Sequence, residues 1–153
     1  MKNENYQISI HVNADAKNAF ENICNVKAWW TANIEGRTNQ LNDVFTVLFG
    51  ETFVGFKITE FKPYSQIVWY VTDCNIHFTT DKKEWKDTSI EWNISEEREQ
   101  TKITMTHIGL IPAVECYDNC EKGWNFYTGM SLVKLINEGK GLADTPAKER
   151  ATV

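Results

Sequence analysis

Arginine is scarce in this chain, with three among 153 residues (Arg37, Arg98 and Arg150) and a formal net charge of −5. A surface so poor in fixed positive charge gives no electrostatic footprint for phosphate backbones, which excludes nucleic acid as the natural partner. Long apolar runs are missing too. Nothing approaches the ~20 residues needed to cross a bilayer, so no membrane span is expected. The start, Met1-Lys-Asn-Glu-Asn5, is not followed by the apolar core of a secretory signal, and a cytoplasmic location is the corresponding expectation. The four cysteines (Cys24, Cys74, Cys116 and Cys120) contain no C-x-x-C spacing. Neither a zinc site nor any other metal or cofactor is indicated, and reduced, packed thiols are expected. Cys116 and Cys120 lie one helical turn apart, a separation at which a disulfide is geometrically awkward. No Ser-His-Asp order, carboxylate pair, glycine-rich phosphate loop, internal repeat or low-complexity segment is present, so no catalytic residue is assigned.

Aromatic residues, by contrast, are abundant: nineteen, six of them tryptophan. Trp and Tyr join apolar bulk to a polar tip and serve cores and pocket walls alike. Tyr6, Ile8, Ile10 and Val12 alternate with polar residues, as in a half-buried strand. Asn13 or Asp15 can cap a helix carrying Ala16, Ala19, Phe20 and Ile23 on one face, and a second short turn carries Val26, Trp29 and Trp30. Adjacent Trp29 and Trp30 are expected to diverge, one plugging the core and one bordering a cavity mouth. The polar stretch 33–42 reads as a loop.

From Asp43 onward the pattern is strand after strand, at 44–49, 52–62, 66–72, weakly at 75–80, then 87–95 and 100–110. Connections of two to six residues imply antiparallel hairpins. Asp81-Lys-Lys-Glu-Trp85 is most simply a solvated turn. A long helix follows between Pro112 and Gly139. Its stripe is Tyr117, Cys120, Trp124, Tyr127, Ser131 and Leu135, widened by Met130 and Leu132, and Gly139 is placed to end it. Gly123 and Gly129 allow for a kink or a late start. The architecture is therefore α+β, a curved antiparallel sheet around a long C-terminal helix, with two short helices between the first two strands. One domain spans 1–141, and 142–153 reads as a flexible tail.

Val26-Lys-Ala-Trp-Trp30, Ile67-Val-Trp-Tyr-Val-Thr-Asp73, Glu84-Trp85, Thr106-His-Ile-Gly-Leu110, Glu115-Cys-Tyr-Asp-Asn-Cys120, Gly123-Trp124 and Ser131-Leu132 carry a resemblance. The chain resembles the helix-grip (START-like, SRPBCC) superfamily, and within it the stand-alone proteins similar to the C-terminal domain of the heat-shock chaperone ATPase activator. The resemblance implies a cavity between sheet and helix for lipids, polyketides or other apolar molecules.

Strand alternation and helix spacing together nominate Trp69, Trp92, His107, Trp124, Tyr127, Thr128 and Ser131 as the ligand-binding wall, with His107 as the group that orients the ligand. For His107 the competing expectation is a core histidine with satisfied hydrogen bonds. Binding of a small hydrophobic or amphipathic molecule is the leading expectation. Two alternatives stand beside it. One is a cyclase- or aromatase-like enzyme on a polyketide-type substrate, with His107 or Tyr127 shuttling protons. The other is a co-chaperone-like interaction module, which requires a large exposed apolar patch.

Overall fold

The computed structural model describes residues 5–144. Seven strands form one antiparallel sheet: β1 (Tyr6–Val12), β2 (Ile34–Gly36), β3 (Val44–Phe49), β4 (Thr52–Lys62), β5 (Gln66–Asn75), β6 (Ser89–Glu96) and β7 (Thr101–Ile108). Their order is β1-β7-β6-β5-β4-β3-β2, a meander from β2 to β7 with the first strand folded back against the last. Between β1 and β2 lie α1 (Ala16–Cys24) and α2 (Val26–Trp29). The Asp15 carboxylate caps α1 by accepting the Asn18 N–H at 2.8 Å, and Ala19, Phe20 and Ile23 form its buried face. After β7 the chain turns into α3 (Tyr117–Phe126), a π-helical segment (Tyr127–Leu132) and α4 (Val133–Glu138), which run on as one helix.

Period-two alternation decides which side chains face that helix. Ile10 and Val12 on β1, Ile103, Met105 and His107 on β7, Ile90, Trp92 and Ile94 on β6, and Ile67, Trp69 and Val71 on β5 are all buried. The β4–β5 pairing slips register between Gly55 and Phe56 and again between Ile58 and Glu60. Such irregularities increase local twist and bend, and here they curve the sheet around the helix.

Four expectations change. The weak strand at 75–80 is instead a series of turns between β5 and β6, because the Lys82 ammonium gathers the carbonyls of His77 (2.7 Å) and Thr79 (2.6 Å) and folds the segment on itself. The meander's sixth strand lies within the presumed loop at 33–42, where Ile34–Gly36 pairs with Phe45–Val47 as a short edge strand. The terminal helix starts late, at Tyr117 rather than beside Pro112. Met130 is 58% exposed instead of widening the inner stripe, because the wider π turn rotates the register there.

Gly139 does end the helix, at φ +86°, with its N–H on the Leu135 carbonyl. Just beyond it the chain docks. Asp144 donates its N–H to Trp30 O (2.8 Å) and accepts from Ala32 N–H (3.0 Å). Gly141 passes so near Ala28 that a Cβ would sit 2.4 Å from the Ala28 carbonyl oxygen. The tail expected from 142 onward otherwise lies outside the described residues.

Candidate functional site

All six tryptophans are buried, and they form one connected cluster. Trp29 stacks on Trp30 (5.8 Å, 11°), and both stack on Trp69. Trp92 meets Trp29 and Trp69 edge-on, Trp124 reaches Trp30 and Trp92, and Trp85 stacks on Trp124 at 5.9 Å. Trp29 and Trp30 do not diverge. Their rings stack on each other at the end of α2, where Trp30 is the capping residue, with φ −105° and ψ −71° and its N–H still donated to the Val26 carbonyl. The middle of the space between sheet and helix is therefore filled by indole rings.

A hollow remains at one end of this cluster. It has a volume of about 280 Å³. α3 contributes Asn119, Cys120, Gly123 and Trp124, and Tyr127 follows. The β3–β4 hairpin contributes Phe49, Thr52 and Val54, the segment between β5 and β6 contributes Ile76, Phe78 and Trp85, and Trp30 closes the inner end. No lining side chain carries a formal charge. Phe78, 52% exposed, stands at the mouth.

The segment 76–88 is tied over the start of α3 by a reciprocal clasp. The Glu84 carboxylate accepts the backbone N–H groups of Glu115 (2.8 Å) and Cys116 (3.0 Å), while the Glu115 carboxylate accepts the N–H of Thr80 (2.9 Å). Trp85 adds an indole N–H donated to Cys116 Sγ at 3.3 Å. Glu84 thus satisfies helix N-terminal donors from a distant part of the chain, where its charge also complements the helix dipole. The solvated turn expected at 81–85 is, at its last two residues, a helix cap and a pocket wall.

Of the seven nominated residues, the structure brings Trp124 and Tyr127 to the pocket. Trp69 and Trp92 lie inside the tryptophan cluster, away from its lining. His107 is fully buried behind Trp85 and Trp124, whose rings stand edge-on to it at 4.5 and 6.0 Å. Both its nitrogens are engaged. Trp124 Nε1–H donates to Nδ1 at 3.1 Å, which makes Nε2 the protonated nitrogen facing Thr88 Oγ1 at 2.9 Å. Thr88 in turn donates to the Trp85 carbonyl at 2.6 Å. Burial pushes the imidazole down to about 3, so it stays neutral. His107 packs against two pocket tryptophans and does not line the pocket itself.

Ser131 is also occupied. Its hydroxyl donates to Trp29 O (2.7 Å) and accepts from Leu142 N–H (2.7 Å), fastening α2 and the post-helical strap to the π segment. Thr128 Oγ1 and Trp92 Nε1 are buried without a protein partner.

Of the adjacent pair Trp29 and Trp30, one of them expected at a cavity mouth, Trp30 reaches the pocket and does so at its inner end, while Trp29 lies in the core. Sequence reasoning missed Phe49, Val54, Phe78, Cys120 and Gly123 as wall residues. One signal was readable, a tryptophan set in the polar run 81–87, because burying so large a ring requires a hydrophobic surface to receive it.

The solved structures agree on the architecture. The Aha1 dimer from Colwellia psychrerythraea superposes with a TM-score of 0.74 at 21% identity, covering 90% of this chain and 98% of that one. This chain has the helix-grip fold. DynU16, from the dynemicin biosynthetic locus, matches at a TM-score of 0.67 and 14% identity over 95% of this chain and 52% of its own. CalU16 from Micromonospora echinospora matches at 0.62 and 12%, over 94% and 78%. No protein-family model and no curated protein matches the sequence. At these identities the helix-grip likeness speaks for the fold alone.

Proposed function

We propose that this helix-grip protein binds a small, uncharged, largely apolar molecule in the pocket between α3, the β3–β4 hairpin and the 76–88 segment. The observation that carries this reading is the lining itself. Six aromatic side chains (Trp30, Phe49, Phe78, Trp85, Trp124 and Tyr127) surround a hollow of about 280 Å³ that has no charged wall. A ligand entering it leaves water for aromatic surface and gains roughly 25 cal/mol for each Å² of apolar area removed. Asn119, Thr52 and the Tyr127 hydroxyl are the polar points available to orient it. The volume lies at the small end for ligand sites, which favours one or two fused rings over a long acyl chain.

Simple binding is better supported than proton-transfer catalysis. The neutral His107 is screened from the pocket by two indoles and has both nitrogens engaged. The titratable groups that do line it, Tyr127 and Cys120, are both pushed up, Tyr127 chiefly by burial and Cys120 chiefly by its contact with Cys116. The exposed apolar side chains fall in several small groups, Leu41 with Val44 at the start of β3, Phe126 with Met130 one turn apart on the terminal helix, and Tyr64, Phe78, Ile108 and Leu142 elsewhere, which gives the co-chaperone reading little support.

Gly123 supplies a clean test. A Cβ built there meets nothing within 4 Å, so a larger side chain can enter the hollow without disturbing the core. Gly123→Leu is expected to abolish quenching of tryptophan fluorescence by N-phenylnaphthylamine. The fold should survive, because Gly is also about 1 kcal/mol poorer than good helix formers inside a helix. Undiminished probe binding by a folded Gly123→Leu protein would contradict the assignment.

A further inference from the structure

Trp30 reaches the pocket from a segment that is clamped from behind by the chain just past the terminal helix. Gly139 ends that helix, and residues 140–144 fold back as a strap against α2. Asp144 makes a parallel bridge with Thr31. Its N–H is donated to Trp30 O at 2.8 Å, and its carbonyl accepts the Ala32 N–H at 3.0 Å. Leu142 N–H is donated to Ser131 Oγ at 2.7 Å, and that hydroxyl is donated to Trp29 O at 2.7 Å. The backbone of Trp30 is thus held by the strap directly, and that of Trp29 through Ser131.

The clamp extends to further pocket walls. The Trp30 ring lies 4.9 Å from Trp124 and 5.8 Å from Phe49. Thr31, fully buried between the two Asp144 hydrogen bonds, donates its hydroxyl to Leu48 O at 3.3 Å and accepts the Asn33 N–H at 3.0 Å. Asn33 O accepts the Leu48 N–H at 2.9 Å, so the segment 30–33 is tied to the end of β3, where Phe49 lines the hollow. Tyr127, another wall, lies in the field of the Asp144 carboxylate, which adds to burial in pushing its hydroxyl up.

The strap is a movable part with a narrow seat. Its largest apolar side chain, Leu142, is 39% exposed, so docking rests on hydrogen bonds more than on buried area, and such segments open without global unfolding. A Cβ at Gly141 would collide with Ala28 O and press on Ser131 O and Oγ at 3.2 Å, so glycine alone lets the strap lie this close to α2.

We propose that docking of the 140–144 strap and occupation of the pocket are coupled through Trp30, so that a bound ligand locks the strap and the docked strap tightens ligand binding. The proposal rests on the pocket reading above. With the strap docked, the Trp30 carbonyl and the Ala32 N–H are held, and the indole stays packed against Trp124 and Phe49 at the inner end of the hollow. With the strap released, both bonds are lost and the inner wall is no longer fixed. Linkage makes the two effects equal. The factor that strap release costs in ligand affinity is the factor by which a saturating ligand protects the strap from opening. Gly141, Leu142 and Asp144 are positioning residues that act on the ligand through Trp30.

The test uses the full chain, N-phenylnaphthylamine as the probe and amide hydrogen exchange read by NMR. Saturating probe is expected to slow exchange at Ala32, Leu142 and Asp144 by about tenfold. Gly141→Ala blocks docking by bulk, and Leu142→Pro removes the N–H bonded to Ser131. Each is expected to free the Ala32 and Asp144 amides, shift the Trp30 indole resonance of the unliganded protein and weaken probe binding by that same factor, while amides of β5, β6 and β7 keep their protection. A merely structural role would not make the protection and the affinity loss equal. Probe binding that leaves exchange at Ala32, Leu142 and Asp144 unchanged would overturn the coupling and leave the pocket standing. So would wild-type affinity in a variant whose strap amides exchange freely. The wild-type measurement decides even if neither variant folds. Absence of probe binding by the wild-type protein would overturn the pocket reading and the coupling with it.

Discussion

His107 shows how one side chain's chemistry depends on what surrounds it. From the strand pattern alone, an inward imidazole fits either a satisfied core residue or a ligand-orienting group. The structure decides by giving each nitrogen a partner, Trp124 at Nδ1 and Thr88 at Nε2. The consequence is pH-dependent stability. Its folded-state value, about 3, lies below the ordinary 6.5. Between those values the unfolded chain binds a proton that the folded chain does not, so stability is lost as pH falls through this window. One such group changes stability by about 1.4 kcal/mol per pH unit. Replacing it with glutamine should lower stability at neutral pH, because the Trp124 N–H and Thr88 lose a well-placed partner. Between about pH 7.5 and about pH 5 the wild-type protein should then lose about 2 kcal/mol more than His107→Gln, as read from urea midpoints. Parallel losses in the two proteins would mean that His107 is protonated in the folded state.

At the scale of elements, the strands and first helix were legible because their periods are clean: β3 and β4 match the predicted 44–49 and 52–62. Legibility failed where long-range hydrogen bonds decide local structure. Ile34–Gly36 is a strand because β3 offers it an edge. The segment 76–88 is an ordered turn region because Lys82 and the Glu84–Glu115 clasp fold it onto α3. No local pattern signals a carboxylate that caps a helix thirty residues later. The clasp makes a distinct prediction. Glu84→Ala should cost about 0.5–2 kcal/mol, as for loss of a helix cap. It should also speed amide hydrogen exchange at Thr80, Glu115 and Cys116 while leaving the central strands protected. Unchanged exchange at those three amides would show that the segment is held by its apolar contacts alone.

For the whole molecule, the curved antiparallel sheet around a C-terminal helix followed from the change of period along the chain, and its likeness to the helix-grip fold from the resemblance, whereas the position of the hollow followed from neither. Alternation correctly turned Trp69 and Trp92 inward, but it cannot tell a side chain that walls a cavity from one that fills it. That distinction depends on the summed volume of rings from α2, β5, β6 and α3, which meet only in three dimensions. Five of the seven nominated residues consequently lie in the packed interior or its fastenings, and the pocket has moved outward to Trp30, Trp85, Trp124 and Tyr127. The six indole N–H groups report on this directly, because each gives its own resonance in a two-dimensional NMR spectrum. Titration with N-phenylnaphthylamine should shift the signals of Trp30, Trp85 and Trp124 while those of Trp29, Trp69 and Trp92 stay nearly fixed. Shifts concentrated on Trp69 and Trp92 would place the ligand inside the cluster and contradict the account.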